Sequence, residues 1–193
     1  MIFREKDWLF HWLAPVYDSF IRKPQIDRLE ALLDIPRKGY LLDAGGGTGR
    51  VSSHFVDLAA HVVVCDINRS MLRQMKKKKG LIPLQADVTT LPFSAKTFDR
   101  ILVVDALHHF FYPRHAVMEM LRILKPGGRL LIEEQDIERT PIKMVQIAER
   151  LVQLHSRFLA PHEMMTLFDA AQCKLHVERG HCFTFRILVQ KLV

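Results

Sequence analysis

Four short apolar runs in this sequence end on an aspartate. Leu41-Leu42 leads into Asp43, Val62-Val63-Val64-Cys65 into Asp66, Leu81–Gln85 into Ala86-Asp87, and Ile101-Leu102-Val103-Val104 into Asp105. The first is followed by Gly45-Gly46-Gly47-Thr48-Gly49, the fourth by Ala106-Leu107-His108-His109. Glycines without Cβ let a ligand approach the backbone closely. Asp66 lies 21 residues after Gly45, the distance at which an acid at the end of a second strand accepts hydrogen bonds from two ribose hydroxyls. The paired histidines add groups that titrate near neutrality.

Alternating elements must position these residues. Strands are predicted over 40–43, 61–65, 81–85, 98–104 and 129–133. Helices are predicted over 50–59, 69–79 and 113–124, their apolar residues at helical spacing. Continuous apolar strands alternating with helices mark a parallel sheet covered on both faces. Two alternating strands near the C-terminus, from Leu175 and from Phe183, predict an antiparallel edge. The expected fold class is α/β: a doubly wound Rossmann-like sheet, mostly parallel with an antiparallel C-terminal strand, helices on both faces. One domain is expected over 1–193: an N-terminal helical cap (1–38), a cofactor-binding core (39–135), a helical insertion (141–160), and a C-terminal helix and strand pair (161–193).

The bulk numbers narrow the classes. A 193-residue chain with 49% hydrophobic and 25% charged residues is an ordinary globular composition. No window approaches eighteen uninterrupted apolar residues, and Met1–Phe20 lacks the apolar stretch of a secretory signal. Cys65, Cys173 and Cys182 are too few and scattered for a disulfide framework or zinc site, so a reducing cytoplasm is expected and no metal. Much of the net charge of +7 gathers in Lys76–Lys79 before Gly80, which reads as a solvated helix end; RNA contact is the competing reading.

The nicotinamide fingerprint G-x-G-x-x-G/A fails in both registers. From Gly45 it lands on Arg50, and from Gly47 on Ser52, neither small enough for close helix–strand packing. Leu41–Gly49 instead resembles motif I of class I S-adenosylmethionine-dependent methyltransferases, [DE]-x-G-x-G-x-G. Val62–Ile67 resembles their ribose-binding strand. Ala86-Asp87-Val88, with Leu91-Pro92-Phe93 and Phe98-Asp99, resembles their adenine-reading segment, and Leu124–Arg129 the turn before their fifth strand. Phe10–Asp18 and Leu107-His108-His109-Phe110 resemble segments of the small-molecule group that includes ubiquinone and menaquinone methyltransferases (methyltransferase type 11).

That resemblance implies S-adenosylmethionine as cofactor and S-adenosylhomocysteine as product. It implies that Asp43 orients the loop, Gly45 and Gly47 allow approach, and Asp66 holds the ribose. Ile67 and Met71 would flank adenine, Asp87 and Val88 meet its amino edge, and Tyr17 and Asp105 lie near the methionine end. His108 and His109 stand either as a general base or as packing and loop-capping residues. Asp105-Ala106-Leu107-His108 lacks the Asn/Asp-Pro-Pro-Tyr/Phe motif of nucleobase and glutamine-amide methyltransferases. The expected partner is a small, apolar or aromatic acceptor met by a monomer or homodimer; the alternatives are an RNA methyltransferase and a non-catalytic cofactor-binding protein.

Overall fold

The computed structural model describes residues 24–75, 78–138, 158–180 and 183–193. Its strands are β1 (Tyr40–Ala44), β2 (His61–Asp66), β3 (Leu81–Gln85), β4 (Phe98–Val104), β5 (Leu124–Gln135), β6 (Cys173–Arg179) and β7 (Thr184–Lys191). Its helices are α1 (Ile26–Leu33), α2 (Arg69–Gln74), α3 (Pro113–Ile123) and α4 (Pro161–Met165). The strands form one sheet in the order β3-β2-β1-β4-β5-β7-β6. β1 to β5 are mutually parallel, while β7 runs antiparallel to both β5 and β6. This is the expected doubly wound sheet with an antiparallel C-terminal pair. The chain order reverses on either side of β1, so the switch point lies between β1 and β4.

Successive strand residues face opposite sides, and here both sides are buried. Leu42, Ile101, Val103, Leu130 and Ile132 join Ala116, Val117 and Met120 of α3 in one core. Leu41, Leu102 and Leu131 join Leu29, Leu32 and Leu33 of α1 in the other. α1 ends at Asp34 in a left-handed conformation (φ 46°). Its last carbonyls accept from two arginines: Arg129 Nη1 reaches Leu32 O at 2.9 Å, and Arg100 bonds Leu33 O and Asp34 O. Cations at a helix C-terminus oppose its dipole.

Three helical expectations are shortened. The span 50–59 is turns around a 3-10 segment, Ser52–Phe55, because the Ser52 hydroxyl is drawn to Asp43 and Val51, Ser52, Ser53 and Val56 are weak helix formers. α2 ends at Gln74, before the lysine run, and Lys78 Nζ turns back to the Thr48 carbonyl at 2.9 Å. That bond corrects the solvated reading at Lys78; Lys76 and Lys77 lie outside the described residues. The helix begun at Pro161 stops at Met165 and continues as turns. The helical insertion expected over 141–160 falls almost wholly outside the described residues, as do Cys182 and all of Met1–Lys23.

A buried ion network holds α1 to the antiparallel edge. Arg186 on β7 bonds Glu133 of β5 (2.5 Å), Glu178 of β6 (3.0 Å) and the Gln25 side chain (2.8 Å), and Glu178 also receives Arg28. Arg186 and Glu133 are each 2% exposed. Removing one partner of such a pair leaves a buried charge uncompensated. Arg186→Met is therefore expected to lower unfolding stability by about 3–5 kcal/mol in urea titrations.

Candidate cofactor site

The carboxyl ends of β1, β2 and β4 meet at one edge of the sheet. The glycine loop after β1 is pinned to β2: the amides of Gly45 and Gly46 donate to Cys65 O at 2.8 and 3.1 Å, and that of Gly47 to Asp66 Oδ2 at 2.9 Å. Gly45 and Gly47 have φ of +76° and +55°, a region costly to residues with a Cβ. A Cβ on Gly45 would lie 2.7 Å from that of Ala106, and one on Gly46 2.5 Å from the Asp43 carboxyl and 2.7 Å from Val64 Cγ1. At Gly47 the nearest atoms would be Met71 Cε at 3.3 Å and Asp66 Oδ2 at 3.8 Å. The first two glycines are demanded by the protein's own packing. Gly47 faces Met71 and Asp66, two residues that the sequence resemblance assigns to cofactor.

Asp43 is buried below the loop and accepts from Ser52 Oγ at 2.5 Å. Burial pushes its carboxyl up to about 6 against the opposing Ser52 bond; the charge of Asp66 adds to the rise and Arg50 opposes it. Asp66 is also raised by burial, opposed by the amides of Asn68, Gly47 and Ile67. Asn68 caps α2, its side chain accepting from the amides of Ser70 and Met71. On either side of this cap Ile67 is 45% exposed and Met71 is buried. After β3, Asp87 Oδ1 accepts from the Thr89 amide and hydroxyl, and Val88 packs into the core. Asp105 has φ +50°, and its buried Oδ1 has no hydrogen-bond partner among the described residues. Burial pushes Asp105 to about 6, the charges of Glu134 and Glu133 add, and His108 and Arg50 oppose. Tyr17 lies outside the described residues.

Sequence reasoning missed Glu134. It is 2% exposed at the end of β5, and accepts from the amides of Ala106 (3.0 Å) and Leu107 (2.6 Å) and meets His108 Nδ1 at 2.6 Å. The available signal was the tandem Glu133-Glu134 closing an otherwise apolar strand. His108 is buried, its ring stacked on Phe158 with centroids 4.3 Å apart, whereas His109 is exposed.

S-adenosylmethionine fits this edge. Its ammonium and sulfonium are cations and its ribose carries two hydroxyl donors. The edge offers three partly or wholly desolvated carboxylates, and the buried Oδ1 of Asp105 has no partner among the described residues. An orphaned buried acceptor is costly until a donor reaches it.

Comparison with known proteins agrees. Residues 42–132, a little under half the chain, match the family described as methyltransferase domain. Demethylmenaquinone methyltransferase of Paenarthrobacter aurescens is 39% identical over 134 residues, covering 65% of this chain and 53% of that protein. The ubiquinone/menaquinone biosynthesis C-methyltransferase UbiE of Paracoccus denitrificans is 36% identical over 121 residues, covering 58% and 48%. The chain thus spans about half the length of these curated relatives. In fold, it superposes on a SAM-dependent methyltransferase of Thermotoga maritima with TM-score 0.76 and 21% identity, over 95% of this chain and 99% of that one. Residues 42–132 thus match a methyltransferase domain, and the chain shares the fold of this solved methyltransferase.

Two outcomes test the edge. Gly46→Ala must displace Asp43 or β2, so S-adenosylhomocysteine binding measured by calorimetry is expected to be lost, with about 1–3 kcal/mol of stability. Protonating Asp43 and Asp105, both raised to about 6, favours the fold, so their stabilising contribution is full below about pH 4 and lost as pH rises through 6. The same protonation removes negative charge from this edge. As pH falls from 7 to 5, the melting temperature of the ligand-free protein relative to that of Asp105→Asn should rise while affinity for S-adenosylmethionine declines; a flat difference and unchanged affinity would contradict these assignments.

Proposed function

We propose that this protein transfers the methyl group of S-adenosylmethionine to a small apolar or aromatic acceptor in the cytoplasm, as a single domain. In this reading residues 39–135 hold the cofactor. Residues 1–38, 141–160 and 161–193 enclose the acceptor, with Tyr17 as a lid over the methionine end. The observation that carries it is the carboxylate edge, in which Asp66 fixes the Gly47 amide and Asp105 keeps a buried oxygen without a partner among the described residues. Asp66 receives the ribose, Asp105 the ammonium, Ile67 and Met71 the adenine faces, and Asp87 with Val88 its amino edge.

When bound, the cofactor supplies an electrophilic methyl on a good leaving group. The protein's part is alignment and exclusion of water, and orientation alone contributes roughly 7–11 kcal/mol in favourable cases. Of the two histidines, His108 suits a proton-accepting role, because its ring is held by stacking and by a carboxylate. His109 is the exposed neighbour against it, with ring centroids 4.0 Å apart. The names of the relatives, a demethylmenaquinone methyltransferase and a ubiquinone/menaquinone biosynthesis C-methyltransferase, support a quinone-type ring as acceptor. Among the described residues no helix is long and apolar enough to cross a membrane.

Calorimetric titration with S-adenosylhomocysteine, using NAD as control, tests the site. Binding of the former alone is expected, and Asp66→Ala should weaken it at least tenfold, since a hydrogen bond to a charged group is worth about 1.5–3 kcal/mol. Undiminished binding by that variant, or binding of NAD instead, overturns the reading.

A further inference from the structure

The methyl-transfer reading explains the acids around the cofactor but not why a carboxylate, rather than any other acceptor, closes β5. Two loop amides, those of Ala106 and Leu107, converge on Glu134 Oε1. A side-chain amide oxygen would satisfy them equally well. The 2.6 Å contact between Glu134 Oε2 and His108 Nδ1 is what calls for a carboxylate. An ionised carboxylate only accepts, so Nδ1 must carry the proton and a neutral ring keeps its lone pair on Nε2. Phe158 stacks on that ring at an interplanar angle of 15°, and His109 lies against it at 50°. Among the described residues, the carboxylates of Glu134 on β5 and of Asp105 at the end of β4 face His108.

The geometry points to Glu134 as a positioning residue that, through His108, equips this site for an acceptor that must lose a proton, an electron-rich ring carbon or a hydroxyl. This rests on the methyl-transfer reading above. In the step, the acceptor atom forms its bond to the methyl carbon as the carbon–sulfur bond breaks, its electron pair remaining on sulfur as the neutral thioether. The acceptor's proton passes to His108 Nε2. The positive charge that leaves sulfur thereby reappears on the imidazolium, beside the desolvated Glu134 carboxylate. An opposite charge already fixed at that position stabilises the developing cation without reorganisation.

The test uses Glu134→Gln, S-adenosylmethionine and 1,4-naphthohydroquinone under anaerobic conditions, reading S-adenosylhomocysteine formed. Gln can still accept from both amides, but its NH2 faces Nδ1 and shifts the ring proton to Nε2. Turnover is expected to fall by about 10²–10⁴-fold, the range for loss of a general base, with affinity for S-adenosylhomocysteine within twofold of the parent. Nitrogen-15 NMR should show the His108 proton on Nδ1 in the parent and on Nε2 in the variant. Adding His108→Gln to Glu134→Gln should cost little more, as expected of residues acting as a unit. A variant that flips the tautomer yet turns over at the parent rate overturns the inference, and so does one that loses S-adenosylhomocysteine binding together with its fold. If the parent protein itself leaves the hydroquinone unmethylated, the methyl-transfer reading is what fails for this acceptor; an Nε2–H tautomer in the parent then overturns the Glu134 role by itself.

Discussion

The turn from β1 toward Ser52 must reverse across the end of a packed sheet with no room for a side chain at its first two glycines. Everything at this edge follows from that constraint. With Gly45 and Gly46 tied to the Cys65 carbonyl, the loop lies flat over Asp43 and Val64. The next amide, Gly47, can then reach the Asp66 carboxylate. Buried amides require acceptors, and here the strand neighbouring β1 supplies all three. The loop and β2 therefore form one rigid corner, and Asn68 continues it by capping α2 directly beyond Asp66.

Building the corner from acceptors has an electrostatic consequence. Asp43, Asp66 and Asp105 crowd the same edge, and Arg50, a described cation near it, only partly offsets them. Desolvation and mutual repulsion make this arrangement unfavourable for the fold alone. A cationic ligand reverses that balance, because it brings the missing charge and a donor for Asp105. The same edge disfavours a dinucleotide, whose pyrophosphate needs donors and positive potential. The failed G-x-G-x-x-G registers and the acidic edge thus exclude the nicotinamide reading for independent reasons, one steric and one electrostatic.

Much of this was legible in the sequence because it is local. Apolar runs closed by an acid mark strand ends, and five of them, four ending at Asp and the last at Glu133, are enough with the predicted helices to specify a doubly wound sheet. The positions of β1 to β4 and α3 were readable to within a residue or two. The segment 50–59 was not, since helical spacing of Val51, Phe55 and Leu58 says nothing of the Ser52 hydroxyl, which bonds a carboxylate nine residues earlier. Glu134 was invisible for a related reason. Its three partners lie 26–28 residues away and meet it only when β4 and β5 pair. Residues whose roles depend on tertiary pairing leave at most a compositional hint, here a pair of acids ending an apolar strand.

That pair of acids divides its work by the two-residue period of a strand. Glu133 shares a face with Leu131 and enters the Arg186 network that anchors α1; Glu134 shares a face with Ile132 and holds the loop after β4. Adjacent residues on one strand cannot move independently, so the latch on one face and the loop on the other are fixed by the same backbone. The Asp105 amide donates to the Glu133 carbonyl at 2.9 Å, which joins β4's end to this backbone as well. A shift of β5 by one residue would put Leu131 and Ile132 on each other's faces and break both sets of contacts at once. The register of β5 between β4 and β7 is therefore what aligns the floor of the site, and the buried Arg186–Glu133 pair, neutral or costly as a source of stability, has a physical rationale as the contact that selects that register.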